Sequence, residues 1–198
     1  ALCGLGGVTR LMGKFELTQE FYGQASAIFD VENDRYGRAY SFCGLGNAAR
    51  MREDFALSLR LFGKAERLYS RIGDKASFAY TLWAMGTVNK MQGRYARSGR
   101  TFDKASVLFR ATKDRRGLVY CRLGKGELAF LEGQEKKAHG YFSWAYRTAE
   151  KFGYHAEACH ALNCLSLVRP SSDRRTVRAA YGRCGLFYDP PPPPFNIP

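Results

Sequence analysis

Residues 43–82 read CGLGNAARMREDFALSLRLFGKAERLYSRIGDKASFAYTL, and the spacing inside this stretch recurs one period earlier and two periods later. Aligned on the glycine near its start, the chain places Gly6, Gly46, Gly86 and Gly126 forty residues apart, with Ser166 at the fifth place. Other positions then fall into register. Seven residues after the glycine come Gly13, Glu53, Gly93 and Gly133, and nine after come Phe15, Phe55, Tyr95 and the odd Glu135. Thr18, Ser58, Ser98 and Ala138 supply a small residue; Tyr22, Phe62, Phe102 and Phe142 supply a ring; Ala25, Ala65, Ala105 and Ala145 supply a second small residue. Self-similarity at a fixed period is the signature of a tandem array of one supersecondary unit.

Within each period the pattern predicts two helices. The leading helix, A, is expected at about 1–12, 35–52, 75–92, 115–132 and 155–168, and its partner, B, at about 15–31, 54–72, 95–112 and 135–152. Asp54 stands where an N-cap carboxylate can accept the first-turn N–H groups. The corners between periods, Asn33-Asp34, Gly73-Asp74 and Lys113-Asp114, use residues suited to tight turns. In the fourth repeat Arg122 and Lys125 replace Phe42 and Leu45 of the second, so Leu123 and Leu128 must carry that inner face or leave it exposed. Pro170 ends the degenerate fifth unit, and residues 174–188 read as a last, arginine-rich helix that caps the array.

These small and aromatic positions resemble the tetratricopeptide repeat, over residues 1–168 in units of about 3–42, 43–82, 83–122 and 123–162. Two departures stand out: the period is forty rather than ~34, and a polar corner replaces the proline usual between repeats. Forty-residue versions with a G-D-x-x-G-x-A junction are similar to those of spindle-orientation scaffolds and bacterial peptide-sensing regulators. The resemblance implies an all-α, right-handed solenoid of antiparallel helix pairs, about four to five repeats long, that binds a protein segment in the concave groove of its A helices.

Composition narrows the partners. A formal charge of +13 and a pI near 9.7 favour acidic protein segments, nucleic acid or anionic surfaces. No apolar run approaches the ~18 residues of a membrane span. Cysteines stand at 3, 43, 121, 159, 164 and 184 without a C-x-x-C pair. Cys3 and Cys43 share a repeat position, where helices stacked about 10 Å apart exceed the ~7 Å reach of a disulfide. Reduced thiols in a cytoplasmic or other reducing compartment are therefore expected. The chain begins at Ala1 inside its first helix, so a processed or trimmed N-terminus is expected.

The sequence carries no nucleophile elbow, phosphate-binding glycine loop or H-E-x-x-H motif, and no enzymatic activity or cofactor is expected. HAEACHALNC at 155–164 has metal-ligand residue types, but the pairs 155/159 and 160/164 point over 100° apart on a helix. No metal is expected there; these side chains should pack between the fourth and fifth units.

Positions six and three before the repeat glycine, and one and four after it, fall within about 80° on helix A. That stripe holds Tyr40, Tyr80 and Tyr120, with His160 at the fourth step; Cys43 and Trp83; Asn47 and Thr87; and Arg10, Arg50 and Lys90, broken at Phe130. Tyrosines offer apolar area with a hydroxyl, and arginine grips carboxylates with two hydrogen bonds. The expected ligand is an extended acidic protein segment, bound as part of a larger assembly. The alternative is association with nucleic acid through a convex patch of Arg94, Arg97, Arg100, Lys104, Arg110, Arg115 and Arg116. Beyond Asp189 the tail PPPPPFNIP is expected to be extended, with Phe195 anchoring it against a surface.

Overall fold

The computed structural model describes residues 1–168, 174–184 and 193–196, and among these residues it contains helices and no strands. The helices are α1 (Leu2–Leu11), α2 (Phe15–Val31), α3 (Arg35–Met51), α4 (Phe55–Ile72), α5 (Lys75–Met91), α6 (Tyr95–Ala111), α7 (Arg115–Leu131), α8 (Glu135–Phe152), α9 (His155–Val168) and α10 (Arg174–Arg183). The A and B helices stand where the period places them. The proline corner at 169–173, the end of the expected last helix at 185–188 and the first prolines of the tail lie outside the described residues.

The chain divides into two compact units. The N-terminal unit is Ala1–Leu108, to which Asn196 also belongs, and the C-terminal unit is Phe109–Phe195, so the division falls inside α6. In the N-terminal unit helices α1 to α5 pack in sequence, and the A helix α3 also touches α1 on one side and α5 on the other. In the C-terminal unit α7 packs on α8, α8 on α9 and α9 on α10, with α7 again touching α9.

What locks each pair is the glycine-to-ring crossing. A Cβ on Gly46 would lie 2.8 Å from the Phe62 ring, and one on Gly126 would lie 2.4 Å from the Phe142 ring. Gly6 and Gly86 meet Tyr22 and Phe102 in the same way, each at 2.7 Å. Only a residue without a side chain lets the helices approach so closely. Beside each crossing the small B-helix residue satisfies the backbone: Ser58 Oγ donates to the Gly46 carbonyl at 2.8 Å, and Ser98 Oγ to that of Gly86 at 2.7 Å. Ala65, Ala105 and Ala145 are fully buried at the second small position.

The turns follow from local chemistry. The A-to-B turn needs a left-handed residue, supplied by Gly13, Gly93 and Gly133, and Glu53 adopts the same conformation at φ 62°. Asp34, Asp54, Asp74 and Asp114 cap the helices they precede: their carboxylates accept from the backbone N–H of Gly37, Leu57, Ser77 and Gly117 at 2.8 to 3.0 Å.

In α7 the inner face is carried by the buried Leu123 and Leu128, while Arg122 turns outward over the rings of Tyr141 and Trp144, 5.3 and 5.1 Å from their centroids. The C-terminal unit closes on a small core of Cys159, Val177, Ala180 and Tyr181, with Leu162 and Cys184 packed against it. The exposed face of α10 is polar, carrying Arg175, Arg178 and Arg183.

Candidate functional site

In the N-terminal unit the stripe expected to meet a ligand runs over α1, α3 and α5. Tyr40 is 44% exposed, with its ring 6.2 Å from that of Tyr22; Tyr80, Cys43, Trp83, Asn47 and Arg10 are half-buried, and Thr87 is buried. The basic rungs are deeper than a groove-lining position suggests: Arg50 is 1% exposed and Lys90 2%.

Arg50 sits at the end of α3 and is held from both sides. One guanidinium nitrogen donates to Asn47 Oδ1 at 3.2 Å, while Asn47 is itself fixed by donating from Nδ2 to the Cys43 carbonyl at 3.0 Å. Another guanidinium nitrogen donates to Asn196 Oδ1, and Asn196 Nδ2 donates back to the Arg50 backbone carbonyl at 3.0 Å. Burial, and then the charge of Arg10, push the Arg50 guanidinium down to about 9, so it remains charged at neutral pH. Thr87 spends its hydroxyl on the Trp83 carbonyl at 3.2 Å. Burial pushes the Cys43 thiol up to about 11, against opposing hydrogen bonds from Thr81 and Tyr69; the thiol stays protonated and a poor nucleophile.

In the C-terminal unit the A helices bury acids. Glu157 on α9 is 1% exposed and accepts from Arg116 Nε at 2.6 Å. Burial alone would raise its carboxyl; hydrogen bonds from Arg116 and Tyr120, with the Arg116 charge, bring it below the usual carboxylate value. Tyr120, expected to face a ligand, is thus drawn toward Glu157. Glu127 is buried on α7 and accepts the backbone N–H of Phe195 at 2.7 Å, and Phe195 itself is 3% exposed. His160, at the fourth tyrosine step, is buried with Nδ1 2.7 Å from the Tyr181 hydroxyl, and burial pushes it down to about 4 against the opposing charge of Glu157.

The other basic residues divide by unit. Arg94, Arg97, Arg100 and Lys104 are exposed in the N-terminal unit, and Arg110, Arg115 and Arg116 are exposed in the C-terminal one. Arg115 lies 4.6 Å over the Phe152 ring, so it and Arg116 already engage their own unit. Among the described residues no group of three or more His, Cys, Asp or Glu side chains could hold a metal ion. None of the six cysteines is in a disulfide. Among the described residues no helix is long and apolar enough to cross a membrane.

The residues missed in sequence are Glu127, Glu157 and Asn196. Glu127 stands one after Gly126, the rung of Asn47 and Thr87, and continuing that series would have found it. Glu157 replaces a small residue, Gly37, Ser77 or Gly117, in the earlier repeats, a substitution that asks for a cationic partner. Asn196 had no repeat to index it.

No protein-family model matches the chain, and no curated protein matches its sequence. Among solved structures, it is similar to a crystal structure of nearly identical TPR-like repeats from Podosopora anserina, described as a kinesin light chain. The TM-score is 0.65 at 12% sequence identity, over 93% of this chain and 94% of the other. The fold is therefore that of a TPR-like helical-repeat protein, an all-α architecture.

Proposed function

We propose that the chain is a non-enzymatic interaction scaffold, a subunit of a larger assembly, whose N-terminal unit holds an extended acidic segment of another protein along α1, α3 and α5. One observation carries this reading: the half-buried Arg10 belongs to the same stripe as the exposed Tyr40 and the half-buried Trp83, a cation in series with aromatic rings. A carboxylate laid beside the half-buried Arg10 would accept hydrogen bonds from its guanidinium. Tyr40 and Trp83 on the same stripe offer apolar area to the residues between the acids. The six free cysteines fit a reducing compartment.

The test is capture of partners from extracts of the source cells, quantified by mass spectrometry. Arg50 and Lys90 are too buried to reverse in charge without harming the fold, so the variant is Arg10→Glu with Tyr40→Ala. A partner set depleted about tenfold, equivalent to ~1.4 kcal/mol, with unchanged helicity is the expected result; undiminished capture overturns the groove. If capture is instead lost in Arg94→Glu/Arg97→Glu/Arg100→Glu and falls steeply with salt, the exposed arginines bind nucleic acid.

A further inference from the structure

We propose that Arg50, Asn47 and the carbonyl end of α3 form a subsite that reads a side-chain amide, and that the chain's own Asn196 occupies it in cis. The proposal rests on the groove reading above and specifies the ligand chemistry at one of its rungs.

The geometry uses both ends of the amide. The Arg50 guanidinium donates to Asn196 Oδ1, and Asn196 Nδ2 donates to the Arg50 carbonyl. That carbonyl is among the last of α3, where helical carbonyls lack intrahelical partners and carry partial negative charge. It already accepts the Glu53 N–H at 3.0 Å, so the Asn196 amide fills its second lone-pair direction. Asn47, held on the Cys43 carbonyl, fixes the guanidinium that faces the amide oxygen. An aspartate in place of Asn196 would satisfy the guanidinium but turn a second oxygen toward the Arg50 carbonyl, acceptor against acceptor. The subsite thus selects an amide over a carboxylate, although the surrounding rungs are basic.

The occupant is equally specific. Residues 193–196 read Pro-Pro-Phe-Asn. Asn196 meets Arg50 in the N-terminal unit, and in the C-terminal unit Phe195 is buried with its N–H on Glu127. Within the N-terminal unit, a residue whose side-chain amide is held at both its oxygen and its nitrogen is bound as a residue of a peptide ligand is bound. A segment tethered in cis acts at high effective concentration, so a partner presenting an asparagine to the same subsite must displace it.

The experiment uses the full chain and a fluorescein-labelled peptide, DPPPPPFNIP, with the sequence of residues 189–198. Anisotropy titrations compare the wild-type chain with Asn196→Ala, in which the resident amide is gone. The peptide should bind the Asn196→Ala chain about tenfold more tightly than wild type, and raise the melting temperature of that variant alone. A peptide carrying Asn196→Asp should lose at least about tenfold in affinity for the same variant. Equal binding to both chains, no binding to either, or a preference for the Asp peptide overturns the proposal. So does a lower melting point in Asn196→Ala that the peptide does not restore, which marks the tail as a structural strap. If the groove variants lose their partners while the peptide shows none of these dependences, the amide subsite fails and the groove reading stands.

Discussion

In the N-terminal unit the leading helix of each pair buries cations, Arg50 on α3 and Lys90 on α5, whereas in the C-terminal unit it buries acids, Glu127 on α7 and Glu157 on α9. The scaffold beneath is the same in both: Gly46 against Phe62 in one unit and Gly126 against Phe142 in the other. The repeat therefore prescribes the crossing and leaves the sign of the charge beside it open. What each unit must supply is a local answer for that charge. In the N-terminal unit the amides of Asn47 and Asn196 accept from Arg50, and in the C-terminal unit Glu157 accepts from Arg116.

The largest contrast is expected in acid. His160 is held neutral in the fold, so the unfolded chain takes up its proton first as pH falls below the ordinary value of 6.5. Stability is lost from there down to about 4, where the folded protein protonates as well. The gap corresponds to roughly 3 kcal/mol. Glu157, lowered below its ordinary value, works in the same direction: its contribution is present above the unfolded value and is lost as pH falls through the folded one. Amide exchange followed from pH 7 to 4 should lose protection in α9 and α10 before α3 and α4, and His160→Gln should flatten the slope between 6.5 and 4. Uniform loss across both units would break the contrast.

The crossings should respond alike instead. Gly46→Ala and Gly126→Ala each force a methyl into a ring face and should cost roughly 1 to 3 kcal/mol in chemical denaturation, Gly126 more because its approach is closer. Gly140→Ala, on α8 with nothing within 4 Å of the added carbon, should gain about 0.5 to 1 kcal/mol. If all three behaved alike, helix propensity rather than the crossing would govern these positions. The smallest effect is at the caps, where Asp54→Ala and Asp114→Ala should each cost about 1 kcal/mol in thermal melts, one in each unit.

The fold was legible because its determinants repeat. A glycine forty residues from its neighbours, a ring sixteen later and an alanine nineteen later specify two helices, their crossing and the corner after them. Asp54 could be read as a cap because capping is local, depending on three residues of chain. The candidate binding face could be read only as a direction around α3. Helical periodicity says which side Arg50 leaves by; it does not say how deep the neighbouring layer stands, and a position read as a lining cation is 1% exposed. The acids of the C-terminal unit break the series rather than follow it, and Glu157 makes sense only once Arg116 is brought beside it from a point 41 residues away in sequence. Asn196 lies 146 residues from Arg50, and no period connects them.

The aromatic crossing also gives the molecule a spectroscopic index. In each pair the glycine hydrogen that stands where a Cβ would project points at the face of a ring, Tyr22, Phe62, Phe102 or Phe142, at van der Waals range. A proton so placed sits in the ring's shielding cone and resonates away from other glycines. Gly6, Gly46, Gly86 and Gly126 thus serve as built-in reporters, one per repeat. Loosening of any single helix pair returns its own signal toward the ordinary glycine region while leaving the other three in place.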